Sequence, residues 1–430
     1  MLIKRDRYLN KLIRKEWNGQ IKIITGIRRA GKSVLLFELF RDYLIQKGVK
    51  ESNIIALALD DVINEKYRDP YTLSAYIRNR CSDSSQKYYV FLDEIQYAIS
   101  NEEMLHPETP IKLYGVLIGF LNLKNIDVYV TGSNSKLLSE DVQTEFRGRG
   151  DRIHVYPLSF KEYMEASGLS ESKAYDEYSL YGGMPRLLQL DDDEEKYNYL
   201  NDLFEEIYFK DIQERYKIKL PNVLRSMTDD LCSSVGSLTN ASKIADAVNT
   251  HLKVKTNSET ISKYLSYLTD SFLFSKAERY DVKGKRYFEY PAKYYCTDIG
   301  LRNIRLGLRQ QDKPHILESI LYNELRIRGY AVDVGIVNIT EKNAEGKRTK
   351  KDLEVDFIAH LGPKQYYIQS ALNMDEEEKE KKELRPLLAI QDSFRKVVIS
   401  MSYGKSWIDD YGVLRLNVLD FLLDENSLDR

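Results

Sequence analysis

Cysteine is scarce in this chain. Cys81, Cys232 and Cys296 stand far apart and odd in number, and no Cys-x-x-Cys pair occurs. That excludes a zinc ribbon and a disulfide framework. No run of about 18 uninterrupted apolar residues appears, so no membrane span and no membrane contact are expected. The stretch Met1 to Asn10 is charged and lacks the apolar core of a secretory leader. An excess of one charge sign is missing too. The 64 Lys and Arg nearly balance the 66 Asp and Glu, for a net charge of -2. Any contact with nucleic acid must therefore come from a local patch. These absences fit a reducing cytoplasm. What is present is a soluble composition, 43% hydrophobic and 30% charged. A chain of 430 residues is too long for one core; at roughly 150 residues per domain it holds two to four domains. The 32 tyrosines suit half-buried packing, where an amphipathic ring serves best.

Residues 21–160 alternate between short apolar runs and helical patterns. The runs are Ile21–Thr25, Ile54–Leu59, Tyr88–Leu92, Asp127–Thr131 and Ile153–Tyr156. Each is nearly continuous, rather than alternating, as in strands buried on both faces. The spacer Val34–Gln46 predicts a helix that ends near Lys47-Gly48. Such alternation predicts a parallel sheet with helices on both sides. Residues 157–222 read as helical, with a break at Tyr181-Gly182-Gly183-Met184-Pro185 and a solvated acidic run at Asp191–Glu195. Residues 223–300 give a helix over Ala241–Val248 and a second from about Glu259 to Thr269, with Ser258 as its expected cap. Two strands, Phe272–Tyr280 and Arg286–Tyr290, then flank a glycine-containing turn. Helix, helix, hairpin is the order of a winged helix-turn-helix. The last segment predicts a helix over Ile316–Arg328 and strands at Ala331–Ile339, Leu353–His360, Gln365–Ser370, Val397–Ser400 and Gly412–Asn417. A polar loop is expected over Glu341–Lys351 and a surface helix over Asp375–Arg385. No internal repeat is found.

Gly26-Ile27-Arg28-Arg29-Ala30-Gly31-Lys32-Ser33 follows a strand and opens a helix, the context that a Walker A phosphate loop requires. Its glycines let the backbone wrap round phosphate, and its amides and helix N-terminus face the oxygens. ATP is the expected ligand, held by Gly26 through Ser33 and Val34. Lys32 is expected on the β- and γ-phosphates and Ser33 on Mg²⁺. About 60 residues later, Val90-Phe91-Leu92-Asp93-Glu94 delivers two carboxylates to a strand end, where ligands bind in open α/β sheets. Asp93 is expected to hold Mg²⁺ and Glu94 to act as the base on the attacking water. A third strand ends in Thr131-Gly132-Ser133-Asn134. Asn134, Ser133 or Thr131 would orient that water; the plainer alternative is a polar turn.

These motifs resemble the AAA+ superfamily. More narrowly, the chain resembles a prokaryotic family of predicted ATPases with a C-terminal domain of unknown function. The signatures are Thr25–Ser33, Leu92-Asp93-Glu94-Ile95-Gln96 and Thr131–Ser135. Phe146-Arg147-Gly148-Arg149, Pro157-Leu158-Ser159-Phe160, Tyr181–Pro185, Lys293-Tyr294-Tyr295 and Asp298-Ile299-Gly300-Leu301-Arg302 complete them. The resemblance implies a sensor role for the Thr131–Asn134 tip. It also implies an arginine finger at Arg147 or Arg149, supplied to a neighbour in a homo-oligomer. Pairing of these arginines with Glu145 and Asp151 is the alternative. Gly183-Met184-Pro185 resembles a lid motif beside the nucleotide base, which makes Pro185 a nucleotide contact and Arg186 a further sensor candidate.

Two more modules follow. Lys253, Lys255 and Lys263, on or before the second helix, with Lys283, Lys285 and Arg286 on the wing, would contact DNA phosphates; packing as part of the lid is the other reading. At the C-terminus, Glu318, Asp356 and two successive strands resemble the PD-(D/E)xK nuclease core. Where that core has Glu-x-Lys, this chain has Gln369-Ser370-Ala371. A neutral amide is a poor ligand for a hard cation and alanine does no proton chemistry, so an inactive nuclease-like domain is expected, free to contact a protein partner. Glu318 and Asp356 either make structural pairs or keep residual metal binding. The expected architecture is α/β: a P-loop NTPase parallel sheet (1–160), a helical lid (161–222), a winged helix (223–305) and a restriction-endonuclease-like α/β domain (306–430). The expected function is an ATP-driven switch or motor on a protein or DNA partner. The alternatives are a DNA-binding protein with ATP as regulatory ligand, or a residual nuclease.

Overall fold

The computed structural model describes residues 2–100, 102–103, 109–132, 148–309, 312–342 and 348–430. The chain forms two compact units, Met1–Pro157 with Asp270–Phe272, and Leu158–Thr269 with Leu273–Arg430. Apart from Asp270–Phe272, the expected segments 161–222, 223–305 and 306–430 thus share the second unit.

The first unit is built on β1 (Ile21–Thr25), β2 (Ile54–Ala58), β3 (Tyr88–Asp93), β4 (Ile126–Gly132) and β5 (Gly150–His154). All pairs are parallel, in the order β2-β3-β4-β1-β5. Every residue of β1, β3 and β4 is buried, which is why these strands read as unbroken apolar runs. β5 starts earlier than its apolar residues suggest, because Gly150 and Asp151 pair with Ile21 and Lys22. On one face Ile23, Val90, Leu92 and Val128 pack with Leu73, Ile77, Leu113 and Phe120 from helices α4 (Pro70–Arg80) and α5 (Lys112–Phe120). On the other face Phe40 packs against Tyr129 and Phe91, with ring centroids 4.9 and 5.8 Å away. Phe40 belongs to a helical stretch that starts as α2 (Lys32–Val34), passes through a π-turn at Leu35–Phe40 and ends as α3 (Arg41–Gln46). Gly48, at φ 95°, closes it as expected, its amide donating to the Ile45 carbonyl.

This face also carries a buried charge pair. The Lys22 ammonium donates to Asp127, and neither side chain is more than 4% exposed. Asp127 also accepts from the Tyr129 hydroxyl (2.8 Å) and the Trp17 amide (3.0 Å). Burial pulls the Lys22 ammonium below its ordinary range, against the attraction of Asp127.

In the second unit, helices α6 (Phe160–Ser167), α7 (Glu171–Tyr181), α8 (Asp193–Asp202), α9 (Lys210–Arg215), α10 (Pro221–Ser233), α11 (Ala241–Leu252) and α12 (Ser258–Asp270) come first. A Ser159–Glu162 capping box starts α6. Helix α12 is capped by Asn257, which accepts from the Thr260 amide at 2.9 Å; Ser258, the expected cap, is already inside the helix. After β6 (Phe274–Asp281) and β7 (Arg286–Cys296) come α13 (Ile299–Arg305), α14 (Lys313–Ile327), β8 (Ala331–Lys342), β9 (Arg348–Leu361) and β10 (Lys364–Ala371). The chain ends through α15 (Glu377–Leu388), β11 (Arg395–Ser400), β12 (Trp407–Ile408), β13 (Leu414–Asn417) and α16 (Val418–Leu423).

Two expectations change here. The hairpin β6–β7 does not stand apart as a wing: β6 pairs in parallel with β8, so the hairpin extends an eight-stranded sheet ordered β12-β13-β11-β10-β9-β8-β6-β7. The polar loop expected over Glu341–Lys351 is largely strand, since Thr340, Glu341 and Lys342 pair with Lys350, Thr349 and Arg348. The end of the β8–β9 ladder is polar because residues 348–352 are exposed to solvent, and polarity alone does not distinguish an exposed ladder from a loop.

Removing one partner of the buried pair leaves the other charge uncompensated. Asp127→Ala is expected to destabilise the first unit by about 3–5 kcal/mol, whereas Lys22→Met/Asp127→Leu recovers most of that loss. Urea unfolding monitored at Trp17 distinguishes the two; equal losses would contradict the pairing.

Candidate functional site

The phosphate loop sits at the C-terminal end of β1. Gly26 has φ 143°, and a Cβ there would lie 2.0 Å from the Val155 carbonyl oxygen, so only glycine fits. Arg29 (φ 66°) and Gly31 (φ 93°) bring the loop round to α2. Ile27 and Ala30 are fully buried, Arg28 is half-buried, and Arg29 and Val34 are exposed. Arg5 clamps the loop from outside: its guanidinium donates to the Ala30 carbonyl at 3.0 Å and the Tyr156 carbonyl at 2.7 Å. No sequence signal marked Arg5, one cation in a charged N-terminal stretch. The Lys32 ammonium, 3% exposed, donates to the Gly26 and Ile27 carbonyls at 3.0 and 3.1 Å. Burial pushes it below the ordinary lysine range, against the attraction of Glu94 and Asp93, and Arg28 adds to the downward push.

Strand order brings the carboxylates to this loop. β4 lies between β1 and β3, so the tip of β4 stands between the phosphate loop and Asp93. The Thr131 hydroxyl donates to Asp93 and accepts from the Glu94 amide at 3.1 Å. Asp93 is 4% exposed, and the Ser33 hydroxyl also donates to it. Burial raises the Asp93 pKa above the usual carboxylate range; the Ser33 and Thr131 hydrogen bonds oppose this, Glu94 adds to it, and Lys32 opposes it. Glu94 itself is left-handed (φ 50°, ψ 54°) and caps the 3-10 turn Ile95–Ala98. That backbone aims successive carboxylates differently, Asp93 inward and Glu94 to a half-buried position. Thr131 is thus committed to the two strand ends rather than held ready for a water.

Of the other expected residues, Asn134, Ser133 and Arg147 lie outside the described residues. Arg149 is exposed just before β5, its carbonyl accepting from the Ile21 amide at 3.0 Å. It is therefore at the end of β1 away from the phosphate loop, about 13 Å off by strand rise. Asp151, its expected alternative partner, is held instead by Lys15 at 2.6 Å and Asn18 at 2.5 Å.

Pro185 and Arg186 lie in the second unit, where Pro185 starts a 3-10 turn and Arg186 stacks over Tyr199. Here two of the recognised motifs meet. Asp298 accepts from the Gly183 amide at 2.7 Å and caps α13 through the Leu301 amide at 3.2 Å. A Cβ on Gly182 would lie 2.1 Å from the Asp298 carboxylate, and one on Gly300 1.8 Å from the Tyr181 carbonyl. Asn303 closes the end of α7 by donating to the Ser179 and Leu180 carbonyls. Burial pushes the Asp298 pKa up to about 6 against these amide donors.

The C-terminal carboxylates line a cavity of about 390 Å³ together with Glu354, Ser370, Lys382 and Glu383. They do not fit a metal ion. Glu318 accepts from Lys293 (2.9 Å) and Tyr295 (2.6 Å), and Lys293 also reaches Glu354 at 2.8 Å. Asp356 accepts from the Ser370 amide and hydroxyl at 2.7 and 2.9 Å, and Gln369 donates to Glu383 at 2.9 Å. Among the described residues no cluster of three His, Cys, Asp or Glu side chains is set to hold a metal. Burial works against the Lys293 ammonium, but Glu318, Asp356 and Glu354 together raise it above the usual lysine range. Asp356 is pushed up to about 7, first by burial and then by Glu318, with Lys293 opposing. Of the basic residues expected on DNA, Lys263 pairs with Glu259, Lys283 donates to the Asn338 carbonyl and Arg286 faces Asp281; Lys253, Lys255 and Lys285 are exposed.

Residues 18–164 match the family described as AAA domain, and residues 172–312 match a domain of unknown function, DUF8612. The second match holds both the Gly183 and the Asp298 motif. An uncharacterized protein of Haemophilus influenzae is 34% identical over 427 residues, 98% of this chain and 99% of its own length. One of Methanocaldococcus jannaschii is 27% identical over 397 residues, 88% of this chain and 81% of its own. Among solved structures, a Walker-type ATPase of Pyrococcus abyssi is 16% identical with a TM-score of 0.48, covering 71% of this chain and 96% of its own. The Orc1 protein of Aeropyrum pernix, solved in complex with DNA, is 13% identical with a TM-score of 0.32, over 71% of this chain and 93% of its own. Likenesses at such TM-scores carry no argument about function. Among the described residues no helix is long and apolar enough to cross a membrane.

Asp298 and Asp356 hold their protons more tightly than the ordinary 3.8 of an unfolded aspartate. Folded pKa values above the unfolded ones mean stability that is greatest at low pH and declines as pH rises through the window. The second unit is expected to lose stability between pH 3.8 and about 7 from these two groups. Asp356→Asn should flatten the upper part of that slope in urea titrations; an unchanged slope would contradict the assignment.

Proposed function

The chain belongs to the AAA-domain family represented by that Haemophilus influenzae relative, and from this premise we propose that it binds ATP with Mg²⁺ and hydrolyses it. The observation that carries this reading is the meeting of Ser33, Asp93, Thr131 and Glu94 beside the phosphate loop. The fit to the ligand is physical. Burial depresses the Lys32 ammonium and raises the Asp93 carboxyl, so each charge is held at a cost. Phosphate oxygens match what Lys32 lacks, and a divalent cation matches what Asp93 and Ser33 lack. Gly26 leaves the backbone free to close on the phosphates.

The roles follow from position. Gly26 to Ser33 and Val34 hold the triphosphate, with Lys32 released from the Gly26 and Ile27 carbonyls to the β- and γ-phosphates. Ser33 and Asp93 would hold Mg²⁺, which would supply charge neutralisation on the phosphate oxygens. Glu94 takes a proton from water as the water oxygen bonds to the γ-phosphorus and the bond to the ADP oxygen breaks. Asn134, two residues after Gly132 in the sequence, would orient that water. Arg149 stands too far from its own phosphate loop to serve it, so as a finger it acts on a neighbouring copy, as Arg147 would. Pro185 packs by the base as part of the lid.

Coupling is the larger part of the proposal. Gly183 is bonded to Asp298, so within the second unit a shift of the Gly183–Pro185 turn would be passed to α13. The protein is thus read as a nucleotide-driven switch or motor acting in the cytoplasm on a protein or DNA partner. The paired state of Lys263, Lys283 and Arg286 favours the protein partner over DNA.

Glu94→Gln keeps the shape of the base and removes its proton acceptance. It is expected to bind ATP like the wild type and to release phosphate about a hundredfold more slowly or worse. Equal rates for the two proteins, alone or with a partner, would end the hydrolysis reading.

A further inference from the structure

Gln96 lies two residues beyond the proposed base and has no role in the reading above. It is half-buried within the 3-10 turn Ile95–Ala98. The left-handed backbone at Glu94 turns the chain so that residues 94 and 96 present their side chains to each other. The Gln96 Nε2 donates to the Glu94 Oε2. The other half of the same amide differs in kind: Gln96 Oε1 is buried and has no hydrogen-bond partner among the described residues. A buried acceptor without a donor is uncommon in folded proteins, and its neighbour here is a carboxylate, which offers only further acceptors.

We propose that Gln96 is a water-positioning residue of the hydrolytic site: its Nε2 fixes the Glu94 carboxylate, and its Oε1 takes the second proton of the attacking water. The inference rests on the hydrolysis reading and adds a residue to it. The chemistry is that of one donor with two protons. A water that donates to Glu94 and to Gln96 Oε1 has its lone pairs directed away from both, toward the γ-phosphorus. One proton passes to Glu94 as the oxygen–phosphorus bond forms, and the other stays on the new phosphate oxygen while hydrogen-bonded to Gln96. The amide then supplies orientation and Glu94 supplies the proton chemistry. A charge-assisted bond from Nε2 also limits the carboxylate to one rotamer, which shortens the search for the reactive arrangement.

Two substitutions separate the halves of the amide. Gln96→Met keeps length and removes donor and acceptor. Gln96→Lys keeps a donor for Glu94 and removes the acceptor. Both are expected to lower kcat by about tenfold or more, with KM and ATP affinity held within about twofold, because neither group touches the nucleotide before reaction. ATP affinity, followed with a fluorescent ATP analogue on the same samples, also reports that each variant is folded. Wild-type kcat in Gln96→Met would overturn the proposal, and wild-type kcat in Gln96→Lys would overturn the water-accepting half. Turnover in the wild type no greater than in Glu94→Gln would sink the hydrolysis reading itself, a result distinct from either.

Discussion

The Thr131 hydroxyl holds the nucleotide-binding unit's chemistry together. It donates to Asp93 and accepts from the Glu94 amide, so one side chain at the tip of β4 sets both carboxylates at the tip of β3. This is possible only because β4 lies between β1 and β3 in a parallel sheet. Parallel strands end on the same side, and the loop at Gly26 ends there as well. Remove the interleaved strand and Ser33, on the far side of it, would have no common ground with Asp93. The cost is concentrated burial: Lys32 and Asp93 are each nearly inaccessible, and both are shifted away from their charged forms. On the proposed reading, such a site suits a ligand that brings both negative phosphate and positive metal.

The sequence made this unit legible for a physical reason. Strands buried on both faces read as apolar runs, and a phosphate loop requires glycine where a Cβ would strike the Val155 carbonyl. Lys32, Ser33, Asp93 and Glu94 were therefore all identifiable by type and order. Arg5 was not, since its function comes from reaching two carbonyls 25 and 151 residues away, which no local pattern encodes. Thr131 was visible as a candidate for water but not as the tie between two strand ends, because that depends on strand order. Gln96 carries no task legible in the sequence, since only the backbone turn at Glu94 brings its amide to the carboxylate.

The second unit was legible in its elements and less so in their assembly. Helix, helix, hairpin was read in the right order, but the hairpin joins the large sheet through β8, a partner about 50 residues on. Non-local pairing of this kind leaves no periodicity in the sequence. The Gly183 and Asp298 motifs, over a hundred residues apart, fit together through glycines that no larger residue could replace. The carboxylates of the C-terminal cavity are engaged internally: Lys293 sits between Glu318 and Glu354 as a built-in cation, and Ser370 donates to Asp356.

On the proposed reading, Asp93 and Glu94 form one hydrolytic device whose alignment depends on Thr131. The most direct measurement is phosphate release by Thr131→Val, an isosteric change that removes the hydroxyl and leaves the phosphate loop intact. ATP affinity within about twofold of the wild type with turnover reduced by about tenfold or more is the expected result. Wild-type turnover in this variant would contradict the account, because the two carboxylates would then be aligned without the interaction on which it depends.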